Sequence, residues 1–264
     1  MAIITAKVGT WAKTKPISSN YLHADEKLWA KKGETLDCSA IAADKNQHHW
    51  VKTQSGRQCY VYSPHWSGLT RPEVKLPVLY SSQRDNWDKY HGPGWRQCNL
   101  TAHYMAADFL LKGEIRKKAL AKKYLEGEDL YGKILAKYGD TTNPQAHTPA
   151  LREFGIDSYF SYTGSIKDLV LCIDKGVPVP LGVAYKASGH YICAVGHRAD
   201  GVYIHDPFGV RMGLSDNYEN TSGAYDFVTW DWLQAKWVDQ GSEAGWMRVI
   251  TVVKGIPTGV PKGL

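Results

Sequence analysis

The feature that most constrains the fold is a change of local pattern near Arg71-Pro72. Before it, short β-prone runs alternate with turn signals; from about Val78 the chain reads as helices followed by strands. In the first stretch Lys31-Lys32-Gly33-Glu34 is a turn, followed by an extended run from Thr35 to Ile41. Asp44-Lys45-Asn46-Gln47 is a second turn ahead of His48 to Thr53. Ser55-Gly56 leads into Gln58-Cys59-Tyr60-Val61-Tyr62, which ends at Ser63-Pro64-His65-Trp66. Short strands at this spacing, without a helix signal, indicate a small barrel or sandwich. We therefore expect an all-β domain over residues 1–72 and an α+β domain over 73–264, with Glu73-Val74-Lys75-Leu76-Pro77 as the connector.

The second stretch opens its helical part at Cys98. Leu100, Met105, Phe109 and Leu110 recur at helical spacing, with Gly113 past the end. Two more helices are expected near 114–125 and 128–138. Thr148-Pro149 reads as an N-cap with proline at the first helical position, and Gly155 as its close. Ser165 and Asp168 form a capping-box pattern, with Gly176 ending that helix. Val177 to Tyr185, His190 to Arg198 and Val202 to His205 read as strands, the last two joined by the tight-turn dipeptide Asp200-Gly201. A tryptophan-rich helix (Trp230, Trp232, Leu233, Trp237) and a strand from Trp246 to Val253 complete the domain.

Three polar residues fall where this pattern makes them chemically useful. Cys98 follows a loop broken by glycine and proline (His91-Gly92-Pro93-Gly94) and opens a helix, whose positive end favours thiolate. His190 follows Ser188-Gly189 at a strand start, and Asp206 ends the next strand. Antiparallel pairing through Asp200-Gly201 returns Asp206 toward His190. Nucleophile, base and orienter thus occur in the order Cys, His, Asp, as acyl transfer through cysteine requires. Oxyanion donors would be the Cys98 backbone N–H and a side-chain amide, that of Gln83. His197 and His205 are rival bases, but neither follows a Ser-Gly approach. Trp87, Trp95, Tyr185 and Trp230 are equally candidates for a cleft wall or for the core.

Composition narrows the partners. A net charge of +6 suits an anionic partner such as a cell wall or a nucleic acid. The densest basic cluster (Arg116, Lys117, Lys118, Lys122, Lys123) lies on an expected helix and reads as its solvated face, so no nucleic-acid site is expected. Trp 10 and Tyr 16 against Phe 5 favour aromatics with a polar edge, which suit sugars and interfaces as well as a β core. The five cysteines show no CxxC or zinc-finger spacing, and no HExxH or HxH is present. His48-His49 and His65 make only a weak metal pattern, and no cofactor is expected. Cys172 and Cys193 stand in apolar runs as buried thiols. Mainly reduced cysteines are expected, although Cys38 and Cys59 could pair in an oxidising compartment. The start Met1-Ala2-Ile3-Ile4-Thr5-Ala6 lacks signal-peptide character, and no window is long and apolar enough to span a membrane.

The second domain resembles the C39-like papain-fold cysteine peptidases, particularly the branch found in phage and bacterial proteins. The resemblance runs through Leu79-Tyr80-Ser81-Ser82-Gln83-Arg84-Asp85-Asn86 and Arg96-Gln97-Cys98-Asn99-Leu100-Thr101. It continues through Asn143 and Thr148-Pro149-Ala150-Leu151-Arg152-Glu153-Phe154-Gly155-Ile156. It ends with Gly176-Val177-Pro178-Val179, Gly189-His190-Tyr191-Ile192 and Asp206-Pro207-Phe208-Gly209. It implies a papain-like fold with Cys98 as nucleophile, His190 as base, Asp206 as orienter and Gln83 as oxyanion donor. Asn99 stands where many relatives have glycine, and many relatives place the glutamine closer to the cysteine. The first domain is similar to a bacterial SH3-like barrel through Lys31-Lys32-Gly33 and Tyr60-Val61-Tyr62-Ser63-Pro64-His65-Trp66.

Together these features lead us to expect a peptidoglycan-degrading cysteine endopeptidase of the endolysin type, made in the cytoplasm. It would reach the bacterial wall by holin-type release or from a virion and cut murein stem or cross-link peptides. The alternatives are a cysteine protease acting on protein substrates and a non-catalytic wall-binding or virion protein.

Overall fold

The computed structural model describes residues 2–43, 47–69, 73–86, 93–184, 189–198, 200–210, 222–237 and 245–264. The chain divides into two compact units, Met1–Glu73 with His197–Asp200, and Val74–Gly196 with Gly201–Leu264.

The first unit is built from strands β1 (Ala2–Ala6), β2 (Thr10–Lys13), β3 (Lys27–Ala30), β4 (Thr35–Ala43), β5 (His48–Thr53), β6 (Gln58–Tyr62) and β7 (Trp66–Ser67). They form one seven-stranded sheet in the order β3-β2-β6-β5-β4-β1-β7. The pairs are antiparallel. Alternation along the strands sends Ile4, Ala12, Ile41, Val51, Val61 and Trp66 to a common core. Gly33, at φ +85°, makes the turn into β4 that the sequence announces. The expected all-β region is therefore present, with its described pairings running as an open path from β3 to β7. The expected turn at Asp44-Lys45-Asn46-Gln47 lies outside the described residues except for Gln47.

The second unit mixes helices and strands. Its helices are α1 (Cys98–Leu110), α2 (Glu114–Ala121), α3 (Gly127–Leu135), α4 (His147–Glu153), α5 (Ile166–Asp174) and α6 (Trp230–Lys236). Its strands are β8 (Val74–Lys75), β9 (Ile156–Gly164), β10 (Val179–Val183), β11 (His190–Arg198), β12 (Gly201–His205), β13 (Asp226–Thr229), β14 (Gly245–Val253) and β15 (Ile256–Pro257). The sheet order is β13-β12-β11-β10-β14-β15, with β8 beside β11 and β9 beside β14. α1 is buried from Asn99 to Asp108 on every face, which makes it the central helix of this unit. The Ser165–Asp168 capping box forms as its spacing predicts. Gly155 and Gly176 take the positive φ that closes the helices before them.

Two of the differences from the sequence reading bear on the site. α4 begins at His147, so Thr148 lies inside the helix instead of capping it, and its hydroxyl accepts a hydrogen bond from Arg248 Nη1 at 2.7 Å. β9, absent from the sequence reading, pairs along most of β14. Its Ser, Asp and Thr residues dilute the apolar alternation, yet its aromatic and β-prone composition carries a strand signal.

Candidate active site

The N-terminus of α1, the start of β11 and the end of β12 meet at one place. Cys98 is the first residue of the 13-residue α1, where the backbone N–H groups of the first turn have no intrahelical acceptor. Gln97, the residue before it, does not cap the helix with its side chain. Its Oε1 accepts from Asn86 Nδ2 at 2.9 Å instead. Cys98 is half-buried as a residue. It is hydrogen-bonded to the His190 ring and faces the backbone N–H groups of Tyr191 and Asn99.

Gly189, at φ +74°, turns the chain into β11 and sets His190 at the strand's first position. The β11–β12 hairpin then returns Asp206 to the same end of the sheet. His190 Nε2 and Asp206 Oδ1 are 2.7 Å apart, and the same oxygen accepts from the Phe208 backbone N–H at 2.9 Å. With Nε2 committed to the carboxylate, Nδ1 is the ring atom left to the thiol.

The electrostatics follow from this geometry. Burial alone penalises a charged His190, but the Asp206 carboxylate and the Cys98 sulfur, through charge and hydrogen bonds, raise its pKa to about 10. Burial also opposes a Cys98 thiolate. Here the His190 charge and hydrogen bond, with the two backbone N–H groups, prevail and lower the thiol's pKa. The site favours a thiolate–imidazolium pair. The other four cysteines are free, buried thiols. Burial pushes Cys38 and Cys172 up to about 12 and Cys59 to about 11, and it raises Cys193 as well.

Gln83 is fully buried between the loop before Cys98 and the turn after Asp206. Its Nε2 donates to the Gly94 carbonyl at 2.8 Å, and its backbone N–H donates to the Pro207 carbonyl at 2.9 Å. A Cβ at Gly94 would lie 2.2 Å from the Gln83 carbonyl oxygen, so only glycine permits this crossing. Of the rival histidines, His205 is a structural tie: its Nε2 donates to the Val78 carbonyl and its Nδ1 accepts from the Tyr225 N–H. His197 is buried toward the far end of β11 from His190. Trp95 is exposed and Trp230 buried, while Trp87 and Tyr185 lie outside the described residues.

Sequence reasoning missed two buried networks behind Cys98. In the first, Asn86 Nδ2 donates to Gln97 Oε1, Thr101 Oγ1 and Glu128 Oε1, tying the Gln83 segment to α1 and α3. Burial lifts the Glu128 carboxyl to about 8. In the second, fully buried Arg248 donates to His103 Nε2, Thr148 Oγ1 and the Pro144 carbonyl. His103 stacks on His147 at 3.9 Å, and its Nδ1 donates to the Asn99 carbonyl in the first turn of α1. The available signal was a lone arginine inside the apolar strand Gly245–Val253.

Comparisons with known proteins bear on this arrangement. The model of the Peptidase_C39 like family matches residues 75–237. No curated protein matches. Among solved structures, the chain is similar to a double glycine motif protease from an AMS/PCAT transporter, crystallised in complex with the leader peptide. The match has 12% identity and a TM-score of 0.40, and it covers 69% of this chain and 96% of that one.

Proposed function

Because the chain belongs to the Peptidase_C39 like family, a family of cysteine peptidases, we propose that it cleaves peptidoglycan as an endolysin-like endopeptidase. The observation that carries the catalytic half of this reading is the hydrogen-bonded series Cys98, His190, Asp206 at the N-terminus of α1. The Cys98 thiolate attacks the scissile carbonyl carbon. Negative charge develops on the carbonyl oxygen beside the Cys98 backbone N–H, which helix geometry leaves without an acceptor. The second Nε2 hydrogen of Gln83 is the other donor, the first being held by Gly94. His190, protonated at neutral pH, gives its proton to the departing amine. It then takes one from the water that opens the thioester, while Asp206 keeps the ring oriented.

Peptidoglycan as the substrate is supported by the net charge of +6 and by the all-β unit ahead of the catalytic one, which we read as an SH3-like wall-binding module. Incubating isolated sacculi with wild type and Cys98→Ala, with mass spectrometry of the soluble products, tests both halves. New peptide termini from wild type alone support the reading and identify the bond. Intact sacculi with wild type exclude it.

One observation favours a protein substrate as a second reading. A groove of about 620 Å³ runs beside α1 and α2, with exposed Leu79, Leu120 and Leu125 among its walls. Its lining also holds Asp85, Asp108, Lys112, Arg116 and Glu126, so an extended peptide with mixed apolar and charged side chains fits that chemistry, and cleavage of denatured protein by a chain inert on sacculi would select it.

A further inference from the structure

The first unit contains a pocket of about 690 Å³ that the catalytic reading does not use. Its walls include Trp11, Trp29, Tyr21 and Tyr62, of which Tyr21 is 81% and Trp29 47% exposed. Large aromatics left open to water beside a concavity are platforms awaiting a flat, weakly apolar partner. Trp29 and Trp11 meet edge to face with centroids 4.9 Å apart, which gives the pocket two walls near right angles. A Cβ on Gly9 would lie 2.5 Å from the Trp29 ring, so this glycine makes room for the indole. Across the pocket, Tyr62 packs between His48 and His65 at centroid distances of 5.3 and 4.9 Å.

The charge in this pocket has one sign. Lys13 is 6% exposed yet lines the cavity, with Nζ donating to the Ile17 carbonyl at 2.7 Å and meeting His48 Nε2. Lys27 lies over the Trp11 ring at 5.1 Å. Among the described residues no carboxylate lines the pocket and none pairs with Lys13. A nearly buried ammonium without a counter-charge is costly, and an anion entering the pocket relieves that cost.

We propose that this pocket binds a carboxylate-bearing sugar, with the ring against Trp29 and Trp11 and the carboxylate at Lys13. Sugar rings present apolar C–H faces to indoles and hydroxyls to the polar rim, and the carboxylate supplies the missing negative charge. The inference rests on the wall-directed reading above and names the ligand of its first unit.

The test is isothermal titration calorimetry on the full-length chain with three probes. They are the disaccharide of N-acetylglucosamine and N-acetylmuramic acid, which carries a lactyl carboxylate; neutral chitobiose; and a free stem peptide. We expect saturable binding of the acidic disaccharide at least about tenfold tighter than chitobiose, about 1.4 kcal/mol. Lys13→Met should abolish that preference. Trp29→Ala, at a half-exposed site and with its fold checked by circular dichroism, should remove binding of both sugars. Neither change should alter hydrolysis of a small stem peptide. Equal affinity for the two sugars, binding of the peptide alone, no binding, or wild-type affinity in Trp29→Ala would each overturn the proposal. Sugar binding by a chain inert on sacculi would instead retain this site and discard the hydrolase reading.

Discussion

His190 and Asp206 face each other across 2.7 Å with side chains only 4% and 0% exposed, carried by the two strands of one β-hairpin at its open end. In so dry a setting the carboxylate's charge acts on the ring with little screening, which explains why burial fails to neutralise the histidine.

A pH profile follows from that pair. Activity should rise as pH climbs through the depressed Cys98 pKa and fall as His190 loses its proton near about 10. Asp206→Asn removes the main upward influence on His190, so the alkaline limb should move toward neutrality. We expect kcat/KM on a soluble peptide to drop roughly 10²-fold. An unmoved alkaline limb would show that Asp206 does not set the His190 charge.

Cys98→Ala and His190→Ala should each lower kcat by several orders of magnitude, because the members of such a unit act interdependently. The double variant should be little worse than either single one. Additive losses in kcat would mean that the two side chains do not act on the same step.

Gln83→Ala should reduce kcat by about 10²- to 10³-fold and leave KM nearly unchanged if its amide meets charge that appears only in the transition state. Its burial against Gly94 and Pro207 also makes it structural. A thermal melt must therefore accompany the kinetics, and a KM effect alone would remove Gln83 from the oxyanion site.

Glu128 gives a stability signature of opposite sense to an ordinary carboxylate. Its folded pKa, about 8, lies above the unfolded value near 4.5, so the fold favours the neutral acid. That contribution is complete below about 4.5 and is lost as pH rises through about 8. Glu128→Gln should flatten the fall in Tm between those values and raise Tm relative to wild type at pH 8 and above. Parallel Tm curves for the two proteins would contradict a buried neutral carboxyl.

The meeting of Cys98, His190 and Asp206 was legible because each sits at a boundary that local signals mark: a helix start, a glycine before a strand, a tight turn between strands. Cys98, His190 and Asp206 needed only those markers. The Arg248 cluster was not legible, since its partners Thr148, Pro144 and His103 come together only in the folded chain. Thr148-Pro149 misled for the same reason: a good capping pair was diverted to a distant guanidinium. In the first unit β4, β5 and β6 were readable because a turn signal precedes each, while β2 and β3, with four residues apiece, are too short to show a period.

Arg248→Ala should destabilise the second unit by about 3 kcal/mol, since it leaves His103, Thr148 and the Pro144 carbonyl without a buried donor. Arg248→Lys should rescue little, because one ammonium cannot reproduce the guanidinium fork. Urea denaturation of the three proteins decides it, and a lysine variant as stable as wild type would contradict the argument.

Of five thiols in the chain, four are buried with pKa values pushed far above neutrality, and only Cys98 is poised as thiolate. Unfolding erases that contrast and makes all five ordinary. A brief pulse of iodoacetamide therefore counts molecules: one adduct marks a finished fold, several mark an open chain. The Cys98 thiolate is its own assay of assembly, readable by mass alone, with no substrate in hand.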